Sequence, residues 1–270
     1  MPELPEVETT RRGLSPHLLG AEVRGVVVRN PHLRKPVPES LLGELPGRQI
    51  DAIERRGKYL LLHCGTHTLL IHLGMSGSLR LAPLGETPRK HDHIDLEFDS
   101  RVLRYHDPRR FGLMDWWEGD IATHPLIAVL GVEPLSDAFT GGWLHRATRN
   151  RKTPIKQLIM DGHIVVGVGN IYASESLFRA GIRPTAEAGK LSLARCLRLA
   201  GAIRETLGDA ISAGGSTLRD YVNGEGNPGY FQQSVFVYAR SGEACRVCGQ
   251  PIRQQVQGQR ATFWCPGCQH

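Results

Sequence analysis

The sequence predicts an α+β chain of several domains: a leading helix, a β-sandwich or barrel, a helical stretch and a metal-bound hairpin at the end. Three observations carry this expectation. Short apolar runs broken by Gly, Pro and Asp fill residues 22–117, the apolar spacing beyond Ile121 becomes that of helices, and four of the six cysteines fall in the last 26 residues. With 270 residues the chain also exceeds what one hydrophobic core usually serves. The expected domain limits are 2–131, 132–235 and 236–270, with a hinge near "GVEPLSDAFTGG".

The first element is a helix. "MPELPEVETT" places glutamates where the positive end of a helix favours them, and proline is tolerated at a first helical position. The same peptide admits a second use, because removal of Met1 turns Pro2 into a free secondary amine, a nucleophile. Strands follow in "EVRGVVVRN", "GKYLLLHC", "HTLLIHLG" and "GSLRLAP". "DHIDLEF" alternates Ile94, Leu96 and Phe98 with Asp95 and Glu97, then passes the turn residues Asp99 and Ser100 into "RVLRYHD", a hairpin pattern. In the second half, "GNIYASESLFRAGIRP" reads as a helix closed by Gly181 and Pro184. Leu193, Cys196, Leu197, Ala200, Ile203, Leu207 and Ile211 form one helical stripe.

Charge narrows the partners. The formal net charge is +6, an excess that favours polyanions such as nucleic acid. It is local as well: Arg146, Arg149, Arg151, Lys152 and Lys156 stand between Trp143 and Lys156 with no acid among them. No stretch approaches the roughly 20 apolar residues that cross a bilayer, and the basic-then-apolar order of a signal peptide is missing. A cytosolic chain without membrane association is therefore expected.

Cys245 and Cys248, then Cys265 and Cys268, form two C-x-x-C knuckles 16 residues apart, the spacing of a two-stranded zinc ribbon. Four thiolates leave the metal no open position, so the expected zinc is structural and single. The ribbon holds Gln257, Gln259 and Arg260 on a rigid hairpin, which suits a phosphate contact as well as a purely structural staple. Cys64 and Cys196 stand in apolar runs and read as core.

Several turns admit two readings each. "VVGVGNIYASE" puts a glycine-rich turn before a helix with Asn170 at the cap, either an ordinary cap or an anion site. "HDPRRFGLMDWW" places Arg109, Arg110 and Phe111 between two strands, as an aromatic wedge beside a guanidinium or as the start of a core strand. Met75 in "LGMSGS" is core filler or a second wedge. His91 and His93 flank Asp92 as metal ligands or, more commonly, as surface residues, and Lys58 after Gly57 begins a strand.

An α-amine has an unperturbed pKa of about 7.7 to 8.0, so a useful fraction is neutral at cellular pH. A secondary amine attacking a sugar carbon yields an iminium, an electron sink. Glu3 and Glu6 stand beside that amine in sequence, where they move protons or stabilise cationic sugar character. The combination suits cleavage of an N-glycosidic bond.

Taken in order, "MPELPEVET", "GKYLLL", "IHLGMSGSLR", "KHDHIDL", "DPRRFG", "GVGNIYASE", "GYFQQSVFVYAR" and the cysteine ribbon closely resemble bacterial formamidopyrimidine-DNA glycosylases, which remove oxidised purines. The resemblance runs from the first residue to nearly the last. It implies an N-terminal β-sandwich, a helical domain with a helix-two-turn-helix motif, and a zinc finger, with damaged double-stranded DNA bound between them by a monomer that needs no protein partner. It implies that Pro2 attacks C1′ of the extruded nucleoside, that Glu3 donates a proton, that Lys58 serves β-elimination and that Arg260 serves δ-elimination. His91, Arg109, Arg151 and Asn170 match DNA-contacting positions of the family. Met75, Arg109 and Phe111 match residues that fill the space left by the extruded base, and residues 216–230 match a lid over the lesion. Ala239 and His163 depart from the family's usual glycine and amide.

Two rival readings share parts of this pattern. One is an endonuclease VIII-type glycosylase for oxidised pyrimidines, which shares the proline chemistry but lacks the "DPRRFG" pattern. The other is a non-catalytic protein that binds DNA lesions, against which stand Pro2, Glu3, Lys58 and Arg260.

Overall fold

A computed structural model of the chain describes residues 2–215 and 235–270. It falls into two compact units, one holding described residues 2–128 and 213–215, the other 129–212 and 235–270. The segment matched to a lid, 216–230, lies outside the described residues.

The first unit opens with helix α1 (Leu4–Leu18), whose buried Leu4, Val7, Leu14 and Leu18 recur at helical spacing. Two four-stranded antiparallel sheets follow. One has the order β1 (Gly25–Val28), β6 (Asp92–Glu97), β7 (Arg101–His106), β5 (Ser78–Pro83); the other runs β2 (Ala52–Arg56), β3 (Tyr59–Cys64), β4 (His67–His72), β8 (Leu113–Glu118). Leu60, Leu62, Leu69 and Ile71 from the second sheet and Leu79, Ile94, Leu96 and Leu103 from the first share one buried cluster, which makes the pair a sandwich. Short helices α2 (Ser40–Glu44) and α3 (Pro125–Ala128) complete the unit.

The β6–β7 hairpin has the expected register, with Leu96 opposite Leu103. Its polar face departs from expectation: Asp95 is buried, because its cross-strand partner Arg104 clamps it with two hydrogen bonds of 2.8 and 2.7 Å and Arg29 adds a third at 2.6 Å. Burial alone would raise the Asp95 carboxyl, but the Arg104 and Arg29 contacts outweigh it and hold the group below its ordinary value.

The second unit contains α4 (Gly141–Thr148), α5 (Ile155–Ile159), α6 (Asn170–Arg179), α7 (Leu193–Ser212) and the hairpin β9 (Arg253–Gln257) to β10 (Arg260–Trp264). Helix α4 meets α7 closely, since a Cβ on Gly141 would lie 2.4 Å from the Leu197 Cα. The expected stripe on α7 is buried at Cys196, Ala200, Ile203, Leu207 and Ile211, whereas Leu193 and Leu197 are exposed. Phe178, Val237, Ile252 and Phe263 gather with Cys245 and Cys265 into a small core beneath the ribbon. No helix among the described residues is long and apolar enough to cross a membrane.

Ala239, where the resemblance leads one to expect glycine, holds φ +59°. A left-handed L-residue costs roughly 1–2 kcal/mol, partly offset because alanine has less freedom to lose on folding. Ala239→Gly is therefore expected to stabilise the chain by about 0.5–1 kcal/mol, seen as a higher denaturant midpoint. An unchanged or lower midpoint contradicts that reading.

Candidate active site

The head of α1 is tied off on both sides. Glu3, 1% exposed, is the N-cap, and the Glu6 carboxylate accepts from the Glu3 N–H at 2.8 Å while the Glu3 carboxylate accepts from the Glu6 N–H. This is a capping box built from two acids. Pro2 precedes the cap and is buried, so the proline within the first helical turn is Pro5, not Pro2. Gly215, at φ +83°, comes up against Glu6: a Cβ there would sit 3.3 Å from Glu6 Oε1.

A second tie joins this helix to Lys58. Arg55 on β2 donates from Nε to Glu8 at 3.2 Å and from Nη1 to the carbonyl of Gly57 at 3.0 Å. One guanidinium thus holds both α1 and the turn on which half-buried Lys58 stands. Gly57 supplies the positive φ, +58°, which that turn requires. Burial would raise the Glu8 carboxyl, but hydrogen bonds from Arg11 and Arg12 and the charges of Arg11 and Arg55 pull it down to about 2.

Three further turns of this unit carry the expected DNA-facing residues. Met75 and Phe111 are 42% and 46% exposed, which removes the core reading of both. The Arg109 guanidinium lies 4.9 Å from the Phe111 ring centre. At the base of the Met75 turn, His72 accepts from the Gly74 N–H at 3.0 Å, which leaves its proton on Nε2. Burial, with Lys58 and Arg34 nearby, holds His72 down at about 4, so it stays neutral. His91 is half-buried at φ +74°, while His93, expected at the surface, is buried with Nε2 2.8 Å from the Asp107 carbonyl.

In the second unit Gly169 caps α6, and Asn170 is the first helical residue rather than the cap. Its side chain reaches the ribbon with one of its two Nδ2 hydrogens, which goes to the Ala261 carbonyl at 2.9 Å, while Oδ1 accepts from Lys156 Nζ at 2.6 Å. Lys156, 2% exposed, also donates to Thr262 Oγ1 at 2.7 Å. Buried Glu175 accepts from the N–H groups of Phe236, Val237 and Tyr238. Arg151 is exposed.

The β9–β10 hairpin turns on Gly258 and Gln259, at φ +57° and +59°, the paired left-handed residues of a two-residue turn. Arg260 follows at once and is exposed. The four ribbon sulfurs lie within 4.8 Å of one another, with Cys245 to Cys268 at 3.9 Å and Cys248 to Cys265 at 3.3 Å. Zinc–sulfur bonds of about 2.3 Å in a tetrahedron put sulfurs about 3.8 Å apart, so the set fits one four-thiolate zinc. Cys64 and Cys196 are buried elsewhere, as expected of core residues.

Family models match along the chain: the formamidopyrimidine-DNA glycosylase N-terminal domain over residues 1–114, its H2TH domain over 130–222, and a zinc finger found in FPG and IleRS over 242–270. The formamidopyrimidine-DNA glycosylase of Burkholderia multivorans is 60% identical, with 100% of each chain covered. The chain belongs to the formamidopyrimidine-DNA glycosylase family. The solved MutM (Fpg) protein of Thermus thermophilus is 42% identical with a TM-score of 0.90, covering 99% of this chain and 98% of its own. Lactococcus lactis Fpg in complex with DNA containing an abasic site is 36% identical with a TM-score of 0.93, covering 99% of each chain. As a family member the chain carries one structural zinc on its four ribbon cysteines.

Arg55, Asp107 and Glu175 are further residues that hold these turns, and the sequence did not single them out. Asp107 opens "DPRRFG" and Glu175 closes "GVGNIYASE", but the backbone groups each one binds become visible only once the chain is folded.

Glu8 stabilises the fold most above its ordinary pKa, 4.5, and the contribution drains away as pH falls toward about 2. Glu8→Gln is expected to lower the melting temperature at neutral pH and to flatten its fall across that window. A variant profile parallel to the wild type would contradict the clasp. Chelation should release one zinc per chain and make four thiols reactive, with Cys64 and Cys196 protected until the chain unfolds. Any other zinc stoichiometry in a dye-release titration contradicts the ribbon.

Proposed function

We propose that this chain excises oxidised purines, 8-oxoguanine and formamidopyrimidines, from duplex DNA and then cleaves the strand at the resulting abasic site through its N-terminal proline. The observation that carries the reading is the head of α1: a proline at position 2 beside two buried, mutually capping glutamates, in a member of a glycosylase family. Action on chromosomal DNA would place its work at the nucleoid of a bacterial cytoplasm.

With Met1 removed, the Pro2 ring nitrogen attacks C1′, and the bond from C1′ to the base breaks. Glu3 supplies the proton that assists base departure and opening of the sugar ring. Glu6, bonded to the Glu3 N–H, holds that residue in place and offsets the positive charge of the iminium. The iminium draws electrons from C2′, which loses a proton as the C3′–O bond breaks, with Lys58 donating to the departing side. A second loss, from C4′ with cleavage of C5′–O, releases the other phosphate, assisted by Arg260. Water then frees Pro2 from the sugar remnant.

Binding follows the same division. His91, Arg109 and Arg151 contact the DNA, and Asn170 contacts phosphate beside the ribbon. Met75, Arg109 and Phe111 occupy the space of the extruded base, with Arg109 facing the opposite cytosine. Extrusion costs a few kcal/mol, which these wedges and the phosphate contacts offset. Their exposure suits that use.

Duplex oligonucleotides test the reading. The expected result is release of 8-oxoguanine paired with cytosine ahead of thymine glycol; the reverse order would move the chain to the endonuclease VIII type, and no release of either would leave a lesion-binding protein. Pro2→Gly should lower turnover by roughly 10²-fold or more while changing DNA affinity much less. Equal loss of both contradicts the nucleophile assignment. Arg260→Ala should retain zinc, accumulate the β-elimination product and reduce the salt dependence of binding by about 0.9 in log–log slope per lost phosphate contact. Continued δ-elimination at the wild-type rate would remove Arg260 from the mechanism.

A further inference from the structure

One enclosed carboxylate binds the three turns of the first unit together. Asp107 follows β7 directly and is 0% exposed. Its Oδ1 accepts from the Ser76 hydroxyl at 2.7 Å and the Arg109 N–H at 3.3 Å. Its Oδ2 accepts from the Gly112 N–H at 2.8 Å and the Tyr105 hydroxyl at 3.1 Å. The Asp107 N–H donates to the His91 carbonyl at 3.0 Å, and its own carbonyl accepts from His93 Nε2 at 2.8 Å.

These bonds reach the Met75 turn through its neighbour Ser76, the Arg109–Phe111 turn at both of its ends, and the backbone of His91. The turns also touch directly: a Cβ on Gly74 would lie 2.4 Å from the Phe111 carbonyl carbon. Neither can shift without the other.

We propose that Asp107 is the positioning residue that presets Met75, His91, Arg109 and Phe111 as one rigid probe for base extrusion, acting through their backbones without touching DNA. The inference rests on the reading that these residues contact DNA and fill the vacated space. A carboxylate is required because four donors converge on two oxygens, and only an acceptor-only group serves all of them. An amide in its place turns an NH2 either toward the Gly112 N–H or toward the Arg109 N–H, which is then left with the Ser76 hydroxyl, at 3.2 Å, and a backbone N–H, unlike a hydroxyl, cannot rotate away. A loosened probe must then be ordered during extrusion itself, which slows that step and spares chemistry at a site already open.

The test compares two substrates on the full-length, zinc-loaded protein: single-turnover excision of 8-oxoguanine paired with cytosine, and strand cleavage at a preformed abasic site, which has no base pair to break. Asp107→Asn is expected to slow the first by roughly 10- to 100-fold and the second by no more than about threefold. Slowing of both in equal proportion, as a smaller folded fraction would give, overturns the inference, and so does no change in either. Should Asp107→Asn fail to fold, Ser76→Ala removes one donor from the carboxylate and one acceptor from the Arg109 N–H, and is expected to slow only the paired lesion, by about threefold. Equal effects on both substrates then overturn it. Wild-type protein inactive on both would overturn the functional reading and the inference with it.

Discussion

A chain terminus is ordinarily the least ordered part of a domain, and a nucleophile placed there is useful only if something fixes it. Here the fixing is done by carboxylates. Glu3 and Glu6 close the first turn of α1 on each other, and Glu8, held by Arg11, Arg12 and Arg55, fastens the helix to the sheet beneath. The same Arg55 grips the Gly57 carbonyl, so the peptide carrying Pro2 and the turn carrying Lys58 share one guanidinium. In the proposed mechanism the acids of the opening peptide divide their labour: Glu3 transfers the proton, Glu6 braces Glu3, and Glu8 serves as the anchor. Without that arrangement the remaining parts of the site have no fixed point to be arranged around.

The second unit solves a related problem with a cation. Lys156 is buried at the meeting point of α5, the start of α6 and the ribbon, where Asn170, Ala261 and Thr262 satisfy its ammonium. A buried charge with all its bonds made is a strict orienting device, because losing any partner leaves it uncompensated. The ribbon is held by zinc at one end and by this cation at the other. Arg260 stands at the tip of the hairpin, after the left-handed Gly258 and Gln259 and next to the Ala261 and Thr262 that the cation holds.

Most of the architecture was legible in the sequence because it is local. The β6–β7 hairpin, the helix ended by Gly181 and the two cysteine knuckles each declare themselves within a few residues. What escaped is what depends on contacts distant along the chain. Asp95 reads as a solvent-facing strand position, yet Arg104 and Arg29 enclose it. His93 reads as surface, yet it is buried against the Asp107 backbone. Asn170 has the look of a cap and is one residue inside the helix, its amide drawn away to the ribbon. Motif spacing points to the residues proposed to meet the substrate, while the holding roles of Arg55 and of Asp107, which stands inside the "DPRRFG" motif, show only in the backbone groups they bind.

The proposed chemistry stands on a covalent bond between the processed terminus and a sugar. The most direct measurement is to reduce the complex formed with an abasic duplex, digest it and locate the sugar remnant by mass. The remnant is expected on the N-terminal peptide, at the Pro2 nitrogen, in protein whose intact mass shows Met1 removed. A remnant on Lys58 or any other lysine, or no adduct from protein so processed, would contradict it.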